Sequence, residues 1–177
     1  SEYANGDDGC VLALMFFTWA LSSCTLASAI WSEVKTTAGK VGLYLLIATG
    51  IGELMGGLFD INHPLHGLAA LIGIGSLPIA AMLISVSLSR NATWSAARKS
   101  LLLTANLTWV SVLLMAASFA LLISTFTQAG GDMTAGTVTT LPAGVIALVG
   151  WANRFLILVY CAWVMTAARQ AIKISNR

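Results

Sequence analysis

Charge is what this chain conspicuously lacks. Only 9% of its 177 residues are Asp, Glu, Lys or Arg, while 58% are hydrophobic and the mean hydropathy is +0.86. Soluble domains carry about 25% charged residues, so this chain could not cover a water-facing surface. The medium must supply apolar contact, and an integral membrane protein follows. The nine basic residues fall singly or in pairs and the net charge is only +2, which leaves no basic stripe for nucleic acid. Cysteine is scarce too. Cys10, Cys24 and Cys161 are odd in number and have no paired spacing, which argues against a disulfide framework. Cys24 and Cys161 lie in apolar runs, where a thiol behaves as a small hydrophobe. The chain has no phosphate-binding glycine loop, no HExxH, no CxxC and no internal repeat, so the motif-borne enzyme classes lose their usual footing.

What is present is apolar sequence in long runs. Five of them, near 10–31, 41–58, 65–88, 101–126 and 146–168, approach the ~20 residues a helix needs to cross the hydrocarbon core. Backbone groups in lipid must be satisfied within each segment. The alternating ten-residue segments of a membrane barrel are absent. The expectation is therefore all-α: a polytopic transmembrane helical bundle, with residues 1–177 forming a single transmembrane domain. A polar, glycine-rich stretch at 128–139 separates the last two runs, and residues 141–149 read as a helix extension or a short surface segment. Trp31, Trp94 and Trp151 fall near the predicted interfaces, as belt tryptophans do. Trp19, Trp109 and Trp163 fall deeper and are expected to pack between helices.

Lys and Arg set an orientation. Lys35, Lys40, Arg90, Arg98, Lys99, Arg169, Lys173 and Arg177 all fall on one side, while the other side carries Glu2, Asp7, Asp8, Asp60 and Asp132. By the positive-inside rule the C-terminus is expected in the cytoplasm and the N-terminus of this chain outside, in a bacterial inner or plasma membrane. An acidic external N-terminus that opens on Ser1 implies a removed signal peptide or a preceding helix.

One polar stretch interrupts the apolar runs. Between residues 52 and 67 fall Glu53, Asp60, His63 and His66, which include both histidines of the chain and the only Glu within an apolar run. A carboxylate inside a span is expensive unless it is paired, protonated or facing a water-filled cavity. Arg154 lies about as far inside the fifth run as Glu53 lies inside the second. The two are expected to face each other and neutralise one another, directly or through Asp60; the alternative has Arg154 snorkelling to the interface. Pro64 suits the first turn of the third helix, which would put His63 and His66, three apart, on one face. Three readings of Asp60, His63 and His66 stay open. They are a helix-capping hydrogen-bond cluster, a binding site for a lipid headgroup or small polar ligand together with Glu53 and Arg154, or a metal site. Haem is disfavoured, since no second deep histidine offers an axial ligand. Gly52, Gly56 and Gly57 mark a thin helix surface of the small-xxx-small kind, fit for close packing of the second helix on the third or on a partner subunit. Arg169 and Lys173, four apart on the last helix, could touch anionic headgroups. The hydroxyls of the apolar runs, Ser22 and Ser23 among them, are expected to bond a carbonyl one turn back.

Certain short motifs also carry a family resemblance. Glu2-Tyr3-Ala4-x-Gly6 at the start, Gly56-Gly57-Leu58-Phe59-Asp60 closing the second run, His66-Gly67 opening the third, and Asn153-Arg154 ahead of Trp163 resemble the bacterial integral membrane proteins of domain-of-unknown-function family 998. The resemblance covers essentially the whole chain. It implies six spans, of which the first is absent from this sequence, and it brings no assigned activity. Where members of that family carry a further histidine one turn on, this chain has Ala70, a departure that weakens the metal reading. The functional expectation is an accessory, interaction or lipid-binding membrane module, in contact with the lipid bilayer and open to a membrane-protein partner. The alternative is an intramembrane hydrolase or metal-dependent enzyme with Asp60, His66 and Glu53 as its candidate catalytic groups. A transporter is less favoured without a repeat or an unwound helix.

Overall fold

The computed structural model describes residues 9–132 and 141–176; the acidic residues Glu2, Asp7 and Asp8 and loop residues 133–140 lie outside them. Five long helices make up the described chain: α1 (Gly9–Ala29), α2 (Thr37–Leu58), α3 (His66–Ser89), α4 (Arg98–Gln128) and α5 (Val149–Ser175). Each is long and apolar enough to cross a membrane, and no strand occurs among the described residues. The expectation of an all-α polytopic bundle holds. A short 3-10 helix, Ala92–Ala97, turns the chain between α3 and α4. Residues 141–148, by contrast, are not helical; they cross above the end of α4, where Ile146 N donates to Thr125 Oγ1 at 3.1 Å.

Each helix packs on the next, and α5 returns lightly to α1, so the five close into a ring. The most intimate pair is α2 with α3. Glycine is the reason. A Cβ on Gly52 would stand 2.3 Å from Gly73 N and 2.9 Å from Ala69 O, and one on Gly42 would stand 3.2 Å from Ala80 O. Two backbones meet here with nothing between them, which is how helices gain van der Waals contact where lipid already solvates apolar side chains. Gly56 and Gly57 do not join this seam. They face α1, against the rings of Phe16 and Phe17, so the sequence-predicted glycine stripe serves two neighbours rather than one.

The helix ends have local causes. Thr36 caps α2, accepting from Gly39 N at 3.0 Å, and donates to Ser87 Oγ of α3 at 2.9 Å. Asn91 opens the 3-10 helix by accepting from Thr93 N. Gly130, with φ +80°, ends α4 in the left-handed conformation that favours glycine, and Gly131 N then reaches back to Phe126 O.

The buried core is concentrated toward the end that carries the basic loops, hereafter the basic end. Leu26, Ile30, Val34, Leu43, Leu46, Ile84, Leu88, Trp94, Leu101 and Trp163 form one cluster there. Trp94 was expected at the interface; it is instead fully buried, its Nε1 donating to Glu33 Oε2 at 3.1 Å. Its neighbours explain this. Asn91 Nδ2 donates to the same carboxylate and Gln170 Nε2 of α5 donates to Thr93 O, which clamps the 3-10 helix over the bundle. Trp151 does face outward, as a belt residue would, and so does Trp31, with Lys40 Nζ 4.4 Å from its ring. Trp109, expected between helices, is 39% exposed and faces the surrounding medium.

The candidate site inside the bundle

Glu53 is buried, 5% exposed, where hydrogen bonds through Ser23 join α1, α2 and α5. The Gly52–Gly73 seam presses α2 onto α3 one residue earlier, and the carboxyl turns the other way, toward α1. There Ser23 Oγ lies 2.7 Å from Glu53 Oε2 and 2.5 Å from the hydroxyl of Tyr160 on α5. Ser23 also reaches the carbonyl of Trp19, at 3.1 Å, one turn back on its own helix. The Trp19 ring packs on Tyr160 with centroids 5.0 Å apart, and Tyr160 stacks toward Trp163 at 6.2 Å. Trp163 Nε1 in turn donates to Ser85 Oγ of α3 at 2.9 Å, and Thr49 Oγ1 meets Ser76 Oγ at 3.1 Å between α2 and α3. Hydroxyl and indole groups thus bridge four helices through the middle of the bundle. Trp19 Nε1 is the one buried side-chain nitrogen or oxygen among the described residues without a hydrogen-bond partner.

Arg154 does not neutralise Glu53. The carboxyl takes its hydrogen bond from Ser23, while Arg154 is exposed and lies over Trp151, 5.3 Å from the ring centroid. The reason is a difference in level. From Val149 to Tyr160, α5 descends about 16 Å before it reaches the height of Glu53, whereas α2 runs only about 8 Å beyond Glu53 before it ends. Equal depth from the two helix ends is therefore not equal height. Six residues also carry Arg154 about 240° around the helix from Tyr160, onto another face.

The connection between α2 and α3 holds the remaining candidates, each engaged locally. Asp60 Oδ1 accepts from Asn62 N at 3.1 Å. The His63 ring lies flat on Phe59, centroids 4.2 Å apart and 11° from parallel, and its Nδ1 accepts from Leu65 N. His66 Nδ1 donates to Phe59 O at 3.1 Å, which fixes its proton on that nitrogen. Because α3 begins at His66 and Pro64 stays in the preceding turn, the two imidazoles do not share a helix face. They grip the ring and the carbonyl of one residue, the one that caps α2. Among the described residues no three of His, Cys, Asp and Glu converge to hold a metal ion, so Asp60, His63 and His66 do not assemble the ligand set considered for them.

Beside this turn lies an open groove of about 290 Å³ between the first turns of α1 and the last turns of α2. Its walls are Leu12, Ala13, Phe16, Gly56 and Gly57, and Asp60 stands at its lip.

The site that sequence reasoning missed is the pair of hydroxyls. Ser23 is one of several serines that bond a carbonyl one turn back, as Ser22, Ser111 and Ser118 do, and only the fold gives it a second task. Tyr160 carried a weak signal, a lone phenol in the otherwise apolar run that follows Phe155. Fold and geometry together define a multi-pass membrane protein with five membrane-length helices and a polar centre. No protein-family model matches the chain, and no curated protein or solved structure shows significant similarity to it.

Proposed function

We propose that this protein is a non-enzymatic, lipid-binding membrane module, whose groove between α1 and α2 takes one acyl chain of an amine-bearing lipid. The groove carries the reading. Its walls set the apolar side chains of Leu12, Phe16 and Leu58 beside polar backbone surface and are thin at Ala13, Gly56 and Gly57, and the exposed carboxylate of Asp60 also lines it. An apolar chain gains contact along such walls, while a cationic headgroup amine meets a carboxylate whose Oδ1 alone is used locally. The other polar groups of this end support a module rather than an enzyme. His63 and His66 are spent on the turn they sit in, Asp60 lends it one oxygen, and none of the three meets Glu53. The positive-inside rule supports a cytoplasmic basic end, and with it a groove in the outer leaflet of a bacterial plasma membrane. Membership of the domain-of-unknown-function 998 family is proposed alongside, on the sequence motifs alone.

Native mass spectrometry of the purified chain, with phosphatidylethanolamine and phosphatidylglycerol supplied in equal amounts, tests the reading. Retention of one phosphatidylethanolamine is expected, with loss of the preference in Asp60→Asn and loss of retention in Ala13→Trp, which fills the groove. Equal retention of both lipids by wild type and Asp60→Asn would remove it.

A further inference from the structure

We infer that Glu53, Ser23 and Tyr160 form a proton-binding site, in which the Glu53 carboxyl takes up and releases one proton while the surrounding heavy atoms keep their places. Counting hydrogens leads there. Ser23 Oγ has one hydrogen but three oxygens within bonding distance: Glu53 Oε2 at 2.7 Å, Tyr160 OH at 2.5 Å and Trp19 O at 3.1 Å. With Glu53 ionised, Tyr160 donates to Ser23 and Ser23 donates to the carboxylate. With Glu53 protonated, the carboxylic acid donates to Ser23, and the serine hydrogen swings to the Trp19 carbonyl. Tyr160 still donates to Ser23, which accepts both bonds with its two lone pairs. In both states Ser23, the Tyr160 hydroxyl and Glu53 Oε2 keep a hydrogen-bond partner, and the change between them is one hydroxyl rotation.

The surroundings leave the proton on this carboxyl as the only charge in play. Beside Glu53, α3 presents the backbone of Ala69 and Gly73 and no titratable group. α1 brings Ser23 and, against Gly50, the thiol of Cys24. α5 brings Tyr160 and, next along the helix, Cys161. A glutamate that served only to bridge α1 and α2 would be a poor choice over glutamine, since its charged form costs several kcal/mol in an apolar interior. Its distinguishing capacity is the proton. The step is balanced simply: one proton passes from hydronium to the carboxylate, and returns to water on release.

Infrared difference spectroscopy of the full chain in phospholipid nanodiscs, titrated from about pH 4 to about pH 10, tests this. Glutamate is supplied with ¹³C at the side-chain carboxyl, and Glu2→Gln and Glu33→Gln leave Glu53 as the only labelled side chain, so the site itself stays intact. A reversible exchange between the carboxylic acid and carboxylate bands is expected, with amide bands unchanged. Ser23→Ala and Tyr160→Phe should each move the midpoint by about one pH unit or more, given what a hydrogen bond to a charged group contributes. Ser85→Ala, which removes a hydroxyl serving Trp163, should not. A carboxyl band that stays fixed throughout, or a midpoint indifferent to both Ser23→Ala and Tyr160→Phe, would overturn the inference.

Discussion

The two ends of the bundle are built on different plans. At the basic end, large side chains interlock: Trp94, Leu88, Leu101, Ile30 and Val34 are fully buried, and Glu33, Asn91, Thr93 and Gln170 tie the α1–α2 connection, the 3-10 turn and α5 together. At the other end the packing surface is glycine, the connection between α2 and α3 is exposed, and each polar side chain bonds its own turn. Glu53 lies between these halves. In lipid the hydrophobic effect gives helices no reason to associate, so stability comes from close packing and from interhelical hydrogen bonds. The basic end has both. The opposite end relies on close packing, along the Gly52–Gly73 seam and of Gly56 and Gly57 against Phe16 and Phe17, with few hydrogen bonds between helices.

That contrast can be broken or sharpened by substitution. The largest loss is expected for Trp94→Ala, which empties a fully buried site and removes one of the two donors to Glu33; about 3–5 kcal/mol should disappear in equilibrium unfolding from bicelles. Gly52→Ala comes next. Its new methyl meets the backbone of Gly73, which cannot move aside as a side chain could, and about 1–3 kcal/mol of overpacking cost is expected. Gly56→Ala, whose methyl would stand 3.3 Å from the Phe16 ring, should cost under about 1 kcal/mol because that ring can turn. Ser85→Ala removes the acceptor of the Trp163 Nε1 bond with little change of volume, and a thermal melt should register about 0.6–1.7 kcal/mol. His66→Ala, at the exposed turn, should fall within about 1 kcal/mol. If His66→Ala proves as costly as Trp94→Ala, the two halves are equally firm and the contrast fails.

Much of the architecture was legible in residue types. Apolar runs of membrane length gave five helices because lipid leaves the backbone no other choice, and glycine spacing pointed to the α2–α3 seam. The interior site was legible only in part. Glu53 stood out because a carboxyl among aliphatic residues has few bland explanations. Its partners did not, since Ser23 and Tyr160 are residue types that apolar helices use routinely. Arg154 was paired with Glu53 on the premise that helices end level, and α5 begins well above the end of α2. The histidines misled for a similar reason. An i, i+3 spacing places two rings together only on a helix, and His63 precedes the helix that His66 begins.

The unequal helix ends have a consequence for the lipid. At 1.5 Å per residue, α4 is about 46 Å long and α2 about 33 Å, against a hydrocarbon core of about 30 Å. One flank of the protein therefore carries a longer helix than the other, though Arg98, Lys99 and Gln128 make the ends of α4 polar. A bilayer of uniform thickness cannot match both. Either α4 and α5 tilt, or the leaflet thickens beside them while it thins at the α2–α3 hairpin.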